Sequence, residues 1–145
     1  MGRIVAVCIS QQKGERKKNV GWGNLVPNHG LEGDAHAGPW HRQVSILALE
    51  SIQKMQAEGV QVGPGDFAEN LTTEGLDLTI LRPGTKLRIG PEAVVEVTQI
   101  GKVCHERCAI YYQVGDCVMP REGVFVAVLK GGPVKVGDSI EVVEG

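Results

Sequence analysis

The residues best suited to chemistry are Val103-Cys104-His105-Glu106-Arg107-Cys108, followed at a distance by Cys117. A sulfur that attacks or ligates must be a thiolate, and adjacent positive charge favours that form. Lys102, His105 and Arg107 supply such charge next to Cys104 and Cys108. The run follows a strand-like AVVEVTQ segment, so it reads as a strand-end loop in which sulfur is accessible. Cys104, Cys108 and His105 are therefore candidate catalytic residues. Other readings stand beside this one. Cysteine often packs as a small hydrophobe, which is the reading for Cys8 inside RIVAVCIS. Structural zinc would need Cys104, His105, Cys108 and Cys117, with His29, His36 or His41 joining through folding. That spacing matches no usual pair of two-residue knuckles. Reversible disulfide exchange between Cys104 and Cys108 or Cys117 is also open. The C-x-x-C-H order of haem attachment is absent.

Two further segments carry groups that could hold a ligand. From His29 to Gln43 the chain is glycine-rich and contains His36, His41 and Arg42. Backbone N–H groups of tight glycine turns can cradle an anion, and an arginine can grip a phosphate bidentately. The alternative is a plain loop in which Asp34 caps a turn. In Gly65-Asp66-Phe67-Ala68-Glu69-Asn70-Leu71, Glu69 and Asn70 could hydrogen-bond a polar heterocycle or brace a loop. Arg107 and Arg121 complete the anion candidates.

These groups need a frame. Hydrophobic residues make up 42% and aromatics only 4% of 145 residues, so one aliphatic core is expected, in a single domain spanning 1–145. Twenty glycines and seven prolines favour short strands over long helices. Strand-like runs are Arg3–Ser10, Gln43–Leu47, Ala93–Gln99 and Gly123–Leu129. Pro83–Ile89 and Val136–Val142 echo each other, each a glycine turn before an alternating strand. Ala48–Glu58 has the apolar spacing of an amphipathic helix, with Gly59 at its C-terminal end. Gln11–Lys18 reads as a polar surface loop or hairpin tip, and Asn19–His41 as an irregular segment. The expected fold is mainly β, a barrel-like, strongly curved sheet with one or two short α-helices.

Charge excludes some functions. Fifteen basic against seventeen acidic residues give a net charge of −2, which argues against nucleic acid as a partner. No apolar run reaches the ~20 residues of a membrane helix, and the N-terminus lacks signal-peptide features. No membrane association and a cytoplasmic address are expected, where cysteines act as thiols before disulfides.

Taken in order, GLEGDAHAG, HRQVSIL, GDFAENLTTEGLDL, LRPGTKLRIG, EVTQIGKVCHERC, GDCVMPREGVF and GGPVKVGD resemble the MOSC family, named for the C-terminal domain of molybdenum cofactor sulfurases. The resemblance runs from His29 to the C-terminus. It implies a β-barrel-like fold and a role in molybdenum cofactor (molybdopterin) or sulfur metabolism. It places the family's cysteine, which carries persulfide sulfur or ligates molybdenum in relatives, at Cys104. The 145 residues leave no room for the pyridoxal phosphate desulfurase domain of a full sulfurase, so the expected partner is a separate cysteine desulfurase or molybdoenzyme assembly protein. A molybdenum-dependent reductase of N-hydroxylated compounds and a zinc-stabilised binding module are the alternatives.

Overall fold

The computed structural model describes residues 2–12, 16–101 and 123–144. Eight of its strands form one sheet. Seven of these close on themselves: β1 (Gly2–Ile9), β5 (Val44–Ala48), β6 (Leu71–Glu74), β7 (Lys86–Ile89), β8 (Ala93–Ile100), β9 (Val124–Lys130) and β11 (Ser139–Glu144). Their order is β11-β7-β8-β9-β5-β6-β1, and the barrel shuts where β1 pairs with β11 at Gly2↔Ile140 and Arg3↔Ser139. The eighth, β2 (Lys18–Asn19), extends the far end of β1. Closure removes the unpaired edges that an open sheet would expose.

The echoing segments noted in the sequence turn out to be neighbours, since β7 and β11 pair antiparallel through Ile89↔Ile140. One barrel pair, β5 with β6, is parallel. A parallel connection needs a crossover, and helix α1 (Leu49–Ala57) provides it. It ends at the glycine the sequence suggests, with Gly59 in the left-handed region at φ 90°. A 3-10 turn, Leu78–Ile80, follows β6.

The alternation of β8 puts Ala93, Val95 and Val97 inside, where they meet Ile4, Ile46, Leu87, Val126 and Ile140. β5 is buried along its whole length. Val44 and Ile46 face the barrel interior, whereas Leu47 joins Ile52, Met55, Phe67 and Phe125 under α1. The barrel core is aliphatic, as the low aromatic content requires, and both phenylalanines lie in the smaller cluster.

Two sequence expectations are corrected. Asn19–His41 is not wholly irregular: β3 (Trp22–Val26) and β4 (Gly30–Leu31) join β10 (Gly132–Lys135) in a separate three-stranded sheet. Pairing with the distant Gly132–Lys135 stabilises strands too short to show a local pattern. Lys17 is not a surface residue either. Its side chain is fully buried because Asp34 offers it a counter-charge at 2.8 Å.

Candidate site at the barrel rim

The chain leaves β8 at Ile100 and enters β9 at Val124, and Gly101 N–H donates to the Gly123 carbonyl at 2.6 Å. Gly101 and Gly123, the described residues on either side of 102–122, thus meet at one point on the rim. Cys104, His105, Arg107, Cys108, Cys117 and Arg121 all lie outside the described residues. What surrounds their point of departure is well defined.

Near its end β8 carries a bulge, with Val97 opposite Val126 but Gln99 opposite Phe125. A bulge bends its strand and re-aims the following side chain. Gln99 accordingly meets the approach to β5. Its Oε1 is 3.0 Å from His41 Nε2 and accepts from Arg42 Nε at 3.2 Å, while its Nε2 donates to the Gly101 carbonyl at 2.7 Å. The Thr98 hydroxyl donates to the His41 carbonyl, tying the same two segments together. The Arg42 guanidinium lies over the Phe125 ring, 5.2 Å from its centroid. Trp40 meets His41 edge-on at 5.7 Å, and its indole N–H donates to the His36 carbonyl at 2.7 Å. Arg42 is half-buried, yet no carboxylate pairs with it among the described residues. A guanidinium held in place without a counter-charge is suited to an anionic ligand.

The structure therefore brings His41 and Arg42 together and sets His36 apart. His36 Nδ1 lies 3.0 Å from Lys17 Nζ, inside a second polar cluster. Lys17 also donates to Ser10 Oγ at 3.0 Å and to Asp34 Oδ1. All three ammonium protons thus have partners. Asp34 in turn accepts from the Ser10 and His36 backbone N–H groups. Burial alone would raise the Asp34 pKa, but the hydrogen bond and charge of Lys17 outweigh it and hold the carboxyl below its ordinary value.

Glu69 and Asn70 are completely buried. Asn70 bridges β1 and β5, accepting from Ser45 N–H at 3.0 Å and donating to the Cys8 carbonyl at 3.1 Å. Glu69 accepts from the Thr72 hydroxyl at 2.8 Å and from Phe67 N–H at 3.3 Å. Burial pushes its pKa up to about 7 against the pull of these hydrogen bonds. Both residues brace the fold in this arrangement. The buried Cys8 thiol is pushed to about 12, chiefly by burial and next by the Glu69 charge. A thiol so held is inert at neutral pH. Among the described residues no three His, Cys, Asp or Glu side chains gather as a metal site.

Gln99 and Lys17 were not singled out in the sequence. A polar residue ending the VEVTQ run was the available signal for Gln99, but its partners lie 57 and 58 residues away.

A closed seven-stranded β-barrel with one crossover helix, its rim carrying an arginine that has no carboxylate partner among the described residues, defines the class as a small β-barrel domain. Comparison makes this specific: the MOSC domain model matches residues 32–141, and the chain belongs to the MOSC domain family. The fold is shared with the YuaD protein of Bacillus subtilis (TM-score 0.78, 20% identity, 98% of this chain and 96% of that one). It is shared also with YiiM of Geobacillus stearothermophilus (TM-score 0.75, 20% identity, 99% and 76%) and YiiM of Escherichia coli (TM-score 0.70, 22% identity, 99% and 70%). No curated protein matches the sequence. The family is generally associated with functions like that of the C-terminal domain of molybdenum cofactor sulfurase. No helix among the described residues is long and apolar enough to cross a membrane.

Proposed function

We propose that the rim binds molybdenum cofactor and that Cys104 serves there as a metal ligand or as a carrier of sulfane sulfur. The observation that carries this reading is Arg42: a half-buried guanidinium, held by Gln99 and Phe125, with no carboxylate partner among the described residues. The phosphate of a pterin cofactor is the kind of anion such a group fits. Cys104 follows Gly101 by three residues, so chain length alone keeps its Cα within about 11 Å of that rim position. When bound, the cofactor would supply a metal centre open to a sulfur ligand.

The chain's own residues divide the work. Arg42 binds the anion, and Phe125 limits the directions the guanidinium can take. His41 adds a polar edge beside it. As a sulfur carrier, the Cys104 thiolate would attack the outer sulfur of a donor persulfide. The donor thiolate leaves, and Cys104 becomes the persulfide. The expected donor is a separate cysteine desulfurase.

The test is to isolate the protein from a molybdopterin-sufficient extract and measure pterin, molybdenum and the intact mass. Wild type should retain pterin. Arg42→Ala should lose it, and Cys104→Ser should lose the metal or the added sulfur. Wild type free of pterin, metal and sulfur, or variants that retain all three, would sink the reading.

A further inference from the structure

We infer that Gln99 is the positioning residue of the rim, holding His41 in a single tautomer and Arg42 by its Nε. The inference deepens the proposed ligand site and rests on that reading for its function, though its geometry stands independently.

The polarity of these contacts follows from which groups can only donate. An arginine Nε–H cannot accept a hydrogen bond. The Gln99 atom facing it must therefore be the amide oxygen, and the other end of the amide, donating to the Gly101 carbonyl at 2.7 Å, agrees. That same oxygen lies 3.0 Å from His41 Nε2. An oxygen acceptor there requires Nε2 to carry the proton, which leaves Nδ1 of the neutral ring as an acceptor. One amide thus sets the polarity of both residues. It also ties them to Gly101, the last described residue before the cysteine-bearing segment. The bulge at Thr98 makes this possible by bringing Gln99 opposite Phe125, under the Arg42 guanidinium.

Pre-orienting two ligand-facing groups lowers the ordering cost of binding. A Gln99→Leu variant should keep the barrel, because Gln99 is at the partly exposed rim, but should release both side chains. Long-range 1H–15N spectra of the intact protein read the His41 tautomer directly, with His41→Asn assigning its signals. Titration with inorganic phosphate, followed at the Arg42 Nε–H resonance, reads anion affinity.

Wild type should show the Nε2–H form, and Gln99→Leu a tautomer mixture with phosphate affinity about tenfold weaker. The thermal midpoint should be little changed. Gln99→Glu keeps an oxygen acceptor and should restore the Nε2–H form, yet not phosphate binding, since its charge pairs with Arg42. A wild-type Nδ1–H tautomer would overturn the assignment without any variant, and so would unchanged spectra and affinity in Gln99→Leu. Wild type that does not bind phosphate would overturn the anion reading of the rim, while the tautomer result still decides the role of Gln99.

Discussion

Lys17 and Arg42 are both cations beside the long segment that precedes β5, yet their surroundings are opposite. Lys17 is sealed, with every ammonium proton given to Ser10, Asp34 or His36. Arg42 spends one N–H on Gln99, rests on Phe125 and has no carboxylate partner among the described residues. The same contrast separates the buried Glu69 and Asn70, whose bonds are all internal, from the exposed His41. Residue type alone does not distinguish a brace from a group left open to solvent. Burial and saturation of hydrogen bonds do. A buried polar group is costly unless paired, so a saturated cluster stabilises the fold, and an unsaturated one at the rim has capacity left for something else.

The sealed cluster should break most severely. Lys17→Met leaves the Asp34 carboxylate buried without its cation, an expected loss of roughly 3–5 kcal/mol measured by urea unfolding. Removing both charges, as Lys17→Met with Asp34→Asn, should cost clearly less than the single change. If Lys17→Met is as stable as wild type, the pair does not hold the Lys17 and Asp34 segments together.

Glu69 gives the next effect, and its sign is opposite to the usual carboxylate. Its pKa rises from 4.5 to about 7 on folding, so the folded state binds the proton more tightly than the unfolded chain. Its contribution to stability is therefore most favourable below pH 4.5, falls as pH rises through that window, and levels off above about 7. Glu69→Gln should remove this dependence and gain on the order of 3 kcal/mol at high pH relative to low pH. Asp34, whose pKa is lowered, contributes in the other direction: its stability is present above its unfolded pKa and is lost as pH falls through the folded value. Urea midpoints of wild type and Glu69→Gln from pH 4 to 8 separate the two. Parallel curves would mean that Glu69 does not titrate in this range.

Much of the frame was legible in the sequence because its signals are local. RIVAVCIS, AVVEVTQ and GVFVAVL show β-branched runs, and α1 shows helical spacing up to Gly59. What escaped notice depends on distant partners. β4 is two residues long and exists through β3, and β3 is held by β10. Lys17 sits in a charged run, and only Asp34, brought close by the fold, makes its burial tolerable. At the candidate site, His41 and Arg42 could be named from their types, but their meeting with Gln99 needs the β8 bulge, which no periodicity reveals.

Arg42 should show the smallest effect on stability, and the comparison with Lys17 turns on it. Arg42→Ala removes a hydrogen bond whose acceptor keeps His41 as a partner, and a stacking contact on Phe125. At a half-exposed site such a contact is worth about 0.5–1 kcal/mol. No buried carboxylate is left unpaired among the described residues, so nothing further is lost. The thermal midpoint should move by only a few degrees, as for a change of about 1 kcal/mol. Pterin retention and phosphate affinity should fall with it. An Arg42→Ala protein destabilised as much as Lys17→Met would place Arg42 among the braces and remove the physical distinction between the two regions.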